Sequence, residues 1–219
     1  MTHSQHPPLP LVVLISGNGS NLQAIIDACT AGSINAEIKA VISNRADAFG
    51  LHRAEQAGIP THVLEHRLFK DRQAFDSALS ELIDRFRPGL VVLAGFMRIL
   101  TPEFVNHYRG RMLNIHPSLL PDFQGLNTHQ RALEAGAREH GVSIHFVTPE
   151  LDGGPVVNRA SVSIQPDDDA ETLAKRVQAQ EHRLYPEAIG WFAEGRLKLV
   201  GDQAILDGES VLQLDKTYS

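Results

Sequence analysis

Five consecutive residues, Leu11–Ile15, are aliphatic, and the six that follow read Ser-Gly-Asn-Gly-Ser-Asn. A short apolar run with no polar break fits a strand buried on both faces, as in a parallel sheet covered by helices. The glycine-rich segment then turns the chain, and Leu22, Ile25, Ile26 and Cys29 recur at helical spacing. This strand–turn–helix unit repeats. Residues 36–42 read as a second strand, Ala46–Ala57 as a helix and Thr61–Leu64 as a third strand. Phe75, Leu79, Leu82, Ile83 and Phe86 form one helical stripe that Pro88 and Gly89 end, and Leu90–Ala94 is a second buried-strand run. Such alternation predicts an α/β fold, a mostly parallel twisted sheet with helices on both faces.

The second half has another rhythm. Arg111–His116 and Val142–Val147 read as strands around a helix near Thr128–Ala137, and Val156–Ile164 alternates as an edge strand does. A long helix is expected over residues 170–193, kinked or interrupted at Pro186. The last twenty residues hold short strand-like pieces with turn glycines, so antiparallel strands are expected in the C-terminal part. The first ten residues, with three prolines and two histidines, read as a flexible tail lacking the basic start and apolar run of a signal peptide. Residues 11–219 read as one domain, since 219 residues fit a single α/β unit.

Bulk properties narrow the function. A net charge of -6 disfavours nonspecific nucleic-acid binding, which needs clustered Lys and Arg. No apolar run approaches the roughly 20 residues of a membrane helix. The single cysteine, Cys29, allows no internal disulfide, fits a reducing, cytoplasmic setting and reads as a small core residue. No histidine, cysteine or acidic spacing matches a metal site, and no nucleophile elbow points to a covalent intermediate.

Several segments carry chemistry. Gly17, Asn18, Gly19, Ser20 and Asn21 lie between the first strand and its helix, where backbone N–H groups and the helix dipole favour an anion. Ser20 and Asn21 add donors and are candidates to cap the helix. A tight turn that binds nothing is the other reading. A dinucleotide site fits less well, because Leu22 replaces the third glycine and Ser43-Asn44-Arg45 offers no acid for a ribose.

In Asn114-Ile115-His116-Pro117 the amide and the imidazole share one face of a strand. Asn donates to a developing oxyanion and His moves a proton, a pairing that suits acyl transfer; two polar residues serving loop backbone is the alternative. Leu151-Asp152-Gly153-Gly154-Pro155 is a sharp loop whose Asp152 either reaches His116 and favours its imidazolium or makes only its own turn. Between Gln178 and His182 the apolar stripe of the long helix passes through Glu181, a carboxylate on a face otherwise meant for burial. Met97, Ile99 and Leu100, past the end of a buried strand, either wall a pocket for a flat ring or pack the next helix.

Together the segments SGNGSNLQAII (16–26), VVLAGFMRIL (91–100), LNIHPSLLP (113–121), HFVTPELDGGP (145–155) and QEHRLYP (180–186) resemble the folate-dependent phosphoribosylglycinamide formyltransferases from about Leu11 to Val200. The resemblance implies a Rossmann-like formyltransferase fold and formyl transfer from 10-formyltetrahydrofolate to glycinamide ribonucleotide. It implies a ribonucleotide-binding half (11–105) and a catalytic, folate-binding half (106–219), working as a monomer or a homodimer. It implies that Asn114, His116 and Asp152 are catalytic, that Gly17–Asn21 with Gln178 and Glu181 hold the ribonucleotide, and that Arg72, Met97, Arg98, Ile99, Leu100, Asn114 and the loop Thr148, Pro149, Glu150, Leu151 and Asp152 hold the folate. Asn127 stands where several bacterial members carry a second histidine.

The nearest rival is a 10-formyltetrahydrofolate hydrolase, which has no need of an anion loop and usually carries a further N-terminal domain. Methionyl-tRNA formyltransferase adds a C-terminal RNA-binding domain, a poor match to this acidic chain. A noncatalytic nucleotide-binding module is the third reading; it would bind a phosphorylated compound without turnover.

Overall fold

The computed structural model describes residues 7–211. Strands β1 (Leu9–Ile15), β2 (Ala36–Ser43), β3 (Thr61–Val63), β4 (Leu90–Leu93), β5 (Met112–His116), β6 (Glu139–Phe146) and β7 (Val156–Ser163) form one sheet in the order β3-β2-β1-β4-β5-β6-β7. The five strands from β3 to β5 are parallel, whereas β6 runs antiparallel to β5 and β7 antiparallel to β6. The order reverses direction at β1 and β4, so their carboxyl ends open a crevice of the kind that binds ligands in doubly wound sheets.

Two cores sandwich the sheet. On one face Leu11, Val13, Ile15, Leu113, Ile115, Ile144 and Phe146 pack against α1 (Ser20–Thr30), α2 (Phe49–Gln56) and α6 (Ala170–Ala193). On the other, Val12, Leu14, Val91, Leu93 and Met112 meet α3 (Arg72–Asp84) and α4 (Pro102–His107). Burial on both sides is why Leu11–Ile15 of β1 and all four residues of β4 are aliphatic. A short helix α5 (Thr128–Glu134) precedes β6, and β8 (Leu197–Val200), β9 (Gln203–Leu206) and β10 (Glu209–Ser210) form a small antiparallel sheet.

Two boundaries differ from the sequence reading. The first strand starts at Leu9, so Leu9 and Pro10 belong to the sheet and not to a tail; residues 1–6 lie outside the described residues. Helix α2 begins at Phe49, after a turn over residues 46–48. Helix α6 spans residues 170–193 as expected and runs through Pro186 without interruption. Proline removes the N–H that would reach the His182 carbonyl. Leu184, Tyr185, Pro186, Ala188 and Ile189 are all buried, and that packing outweighs one missing bond. Cys29 is half-buried, and burial pushes its thiol up to about 11, the behaviour of an inert packing residue. No helix among the described residues is long and apolar enough to cross a membrane.

Candidate active site

The loop after β1 is shaped by backbone contacts. Gly19 adopts a left-handed conformation at φ 73, and a Cβ there would come within 2.6 Å of the Gly50 Cα. Gly50 in turn donates its N–H to the Gly17 carbonyl at 3.0 Å, and its own Cβ would meet Ile15. Two glycines, one per loop, are therefore required for this approach. Arg53 braces the same turn, donating to the Asn18 carbonyl at 2.9 Å and to Asn18 Oδ1 at 3.0 Å. The sequence reading missed Gly50 and Arg53, because nothing in one chain segment announces which other segment it touches.

Ser20 and Asn21 do not cap α1, contrary to expectation. Gly19 is the N-cap residue and no side chain bonds the first turn, so the amides at this helix start keep the character of an anion site. Ser20 and Asn21 lie inside the helix and face α6. Gln178 Nε2 donates to Ser20 Oγ at 3.0 Å, and Asn21 Nδ2 donates to Glu181 Oε2 at 2.7 Å. Glu181 is buried, and burial pushes its carboxyl above the usual range against the opposing effect of the Asn21 bond. The fold thus joins residues that lie about 160 positions apart in sequence.

A second cluster sits at the ends of β5 and β6. Asn114 and His116 share the face opposite Leu113 and Ile115. His116 Nε2 donates to the Phe123 carbonyl at 3.0 Å, and its Nδ1 lies 3.4 Å from Asp152 Oδ2, with both side chains under a tenth exposed. With Nε2 donating, only an imidazolium also offers a proton to the carboxylate. Asp152 Oδ2 accepts from the Gly125 N–H at 2.9 Å, so the segment between β5 and α5 closes over both groups. Asp152 holds a left-handed backbone at φ 49, tolerable for Asp and costly for most residues. Gly154 fixes that loop: a Cβ there would overlap the Phe146 carbonyl oxygen. Only glycine lets the chain pass so close to the end of β6.

The sequence reading set aside the remaining histidines, and His145 corrects it. His145 lies directly across the β5–β6 ladder from Asn114 and accepts from Asn114 Nδ2 at 3.1 Å. The signal was the alternation of Val142, Ile144 and Phe146 with Ser143 and His145, which places the polar pair on the face of Asn114 and His116. Deeper, His140 Nε2 pairs with His129 Nδ1 at 3.1 Å; burial lowers both rings, His140 to about 4. Asn127 begins α5 in a left-handed conformation and makes no side-chain cap.

A narrow cleft of about 110 Å³ runs beside Asn114. Arg98, Ile99, Leu100, Asn114, Thr148, Pro149, Glu150, Leu151 and Asp152 line it, joined by His145 and Val147. Met97 stays on the surface with 65% of its area exposed, and its N–H donates to Ser16 Oγ. Arg72 opens α3 outside the cleft lining and acts electrostatically on Asp76, a buried carboxylate whose Oδ2 accepts from the Thr101 N–H. The structure thus gathers the expected folate residues around one cleft, apart from Arg72 and the exposed Met97. Among the described residues, no group of three or more His, Cys, Asp or Glu is placed to hold a metal ion.

Known proteins share this fold and much of this sequence. Residues 9–189 match the formyl transferase family. The chain is 59% identical to phosphoribosylglycinamide formyltransferase of Escherichia coli over 91% of its own length and 94% of that protein. It is 47% identical to the human trifunctional purine biosynthetic protein adenosine-3, over 86% of this chain and 19% of that much longer protein. Among solved structures, the phosphoribosylglycinamide formyltransferase of Coxiella burnetii superposes with a TM-score of 0.89 at 60% identity, covering 93% of this chain and 95% of that one. Family match, identity and coverage agree with a fold that joins an anion loop to an Asn–His–Asp cluster, and the chain belongs to the formyl transferase family, among its phosphoribosylglycinamide formyltransferases.

Proposed function

We propose how the chain carries out its family's reaction, transfer of a formyl group from 10-formyltetrahydrofolate to the amine of glycinamide ribonucleotide in purine biosynthesis. The observation that carries the proposal is the approach of Asp152 to His116 beside Asn114 on the cleft wall. The folate lies in that cleft, where Ile99, Leu100, Val147 and Leu151 offer apolar walls for a flat ring and Arg98 a positive charge. Arg72 and Met97, outside the cleft lining, contact the part of the folate that extends beyond it. The ribonucleotide phosphate docks on the amides and side chains of Gly17–Asn21, with Gln178 and Glu181 contributing from α6. Each substrate thus draws on both halves of the domain, 11–105 and 106–219: Gln178 and Glu181 reach the ribonucleotide from the second, and Arg98, Ile99 and Leu100 reach the folate from the first.

The acceptor amine has an ordinary pKa of about 8, so a useful fraction is neutral near pH 7.5. Its lone pair attacks the formyl carbon and the carbonyl electrons move onto oxygen. Asn114 and the imidazolium of His116 stabilise that oxygen. In the resting chain the Phe123 carbonyl accepts from His116 Nε2; a charged oxygen competes for the same proton. Asp152 holds His116 charged and oriented, and protons pass from the attacking amine to the folate nitrogen, which leaves as the C–N bond breaks. No acyl-enzyme forms. Holding two substrates together supplies much of the acceleration. The enzyme is taken to work in the cytoplasm, in keeping with its single free cysteine, as a monomer or a homodimer.

His116→Ala and Asp152→Asn are each expected to lower kcat by roughly 10²-fold or more while the fold survives. Wild-type turnover in either variant would overturn the assignment. Monitoring 10-formyltetrahydrofolate absorbance with and without glycinamide ribonucleotide separates transfer from hydrolysis: consumption is expected only when the acceptor is present.

A further inference from the structure

His145 is a buried histidine, 2% exposed, that the mechanism above leaves without a task. Its two nitrogens have different partners. Nδ1 donates to the Phe146 carbonyl at 2.9 Å, and Nε2 faces Asn114 Nδ2 at 3.1 Å. A carbonyl accepts only, so the ring proton sits on Nδ1 and Nε2 is a bare lone pair. A bare nitrogen in turn takes only an N–H, which decides which way round the Asn114 amide lies. The amide nitrogen is held against His145, and its second N–H is left over, beside the cleft that both residues line. A charged ring would donate from Nε2, call for the Asn114 carbonyl instead and carry the donor to the other end of the amide.

The surroundings keep the ring neutral. Burial lowers its basicity, and the field of His116 acts in the same direction. The Phe146 bond and the Asp152 charge oppose this; Asp152 Oδ1 stands 3.8 Å from Nε2, beyond hydrogen-bond reach. The position is also fixed mechanically. Gly154 passes so close that a Cβ there would overlap the Phe146 carbonyl oxygen and stand 3.3 Å from His145 Nδ1, and the β6–β7 register shifts between Ile144 and His145.

We propose that His145 is a positioning residue for formyl transfer: as an imidazole protonated on Nδ1, it locks the Asn114 amide so that one N–H is presented to the oxygen that becomes negative. This rests on the reading of Asn114 as the donor to that oxygen. A preset donor costs no reorientation as the charge develops, so its loss falls on kcat and not on substrate affinity.

The test is a double-mutant cycle of His145→Leu, Asn114→Ala and the pair, with His145→Gln as the conservative variant. His145→Leu is expected to lower kcat about 10- to 100-fold, with KM for each substrate within about 3-fold. Gln, which places an acceptor oxygen near the Nε2 position, is expected to recover most of that loss. In the Asn114→Ala background the His145→Leu change should cost less than about 3-fold, because no amide remains to orient. An equal loss in both backgrounds, a loss confined to KM, or a Gln variant no better than Leu would overturn the proposal. Asn114→Ala with full activity would instead remove the reading beneath it. Nitrogen NMR of the wild-type ring needs no variant: Nδ1 should be protonated and Nε2 unprotonated throughout the pH range of turnover. A protonated Nε2 there would end the proposal even if the Leu variant did not fold.

Discussion

At the end of β1 the chain shapes its site with backbone, and at the ends of β5 and β6 it does so with side chains. Gly19 and Gly50 touch where any Cβ would intrude, and the helix start they create presents amides that every residue type possesses. Around Asn114, His116, His145 and Asp152 the partners are an amide, two imidazoles and a carboxylate, each placed by strand register or by a loop. On the proposed assignment the first design holds a charge that is present throughout the reaction, and the second addresses a charge that exists only in passing, which calls for groups of defined protonation. The lesson concerns failure: damage to the first region should appear in affinity, and damage to the second in turnover.

Gly154→Ala gives the hardest test of that division. Its new methyl would overlap the Phe146 carbonyl, push the Asp152 loop away from His116 and cost about 3 kcal/mol of stability. Turnover should fall by roughly 10²-fold, since His116 loses the carboxylate that orients it. Thermal melts and kinetics would show both effects, and a stable, active variant would mean that the loop tolerates displacement. Gly19→Ala is next. It should raise KM for glycinamide ribonucleotide roughly 10-fold and leave kcat within about 3-fold, because the binding lost is equal in the ground and transition states. A collapse of kcat instead would merge the two regions into one functional unit.

Acid should find the second region first. His140 is held near 4 by burial, with His129 adding to the effect, whereas an unfolded chain takes up that proton near 6.5. Between these values the unfolded state binds the extra proton. Stability from this site is therefore complete above about 6.5 and falls as pH drops toward 4. Melting temperature against pH should flatten in His140→Gln; an unchanged slope would place the acid sensitivity elsewhere. The smallest effect belongs to the exposed pair of Lys175 and Glu171 on α6, where Lys175→Ala should alter stability by no more than about 0.5 kcal/mol and activity not at all.

Much of this was legible in the primary structure. The aliphatic runs of β1 and β4 declare burial on two sides, and the glycine pairs after β1 and before Pro155 mark places where backbone must bend. Asn114, His116 and Asp152 stand in segments that fix their directions, although the approach of Asp152 to His116 comes from a loop clamped onto β6. His145 escaped because its meaning lies in the β5–β6 register, a tertiary quantity. Gly50 and Arg53 escaped for the same reason, being defined by the loop they touch. The span of α6 was legible as well, and the interruption allowed for at Pro186 does not occur, because a local rule against helix interiors lost to the burial of one whole turn around it.

Helix α6 joins the two regions as a rigid spacer. Gln178 reaches Ser20 near its middle, and seven residues later the Tyr185 hydroxyl reaches the carbonyls of Leu93 and Leu113, the latter next to Asn114. Seven residues of helix measure about 10 Å. If the proposed sites hold, anion cradle and reaction centre are set apart like the jaws of a gauge: an acceptor would be measured by the length between its phosphate and its amine, and a molecule with the right ends at the wrong spacing would engage one jaw and leave the other empty.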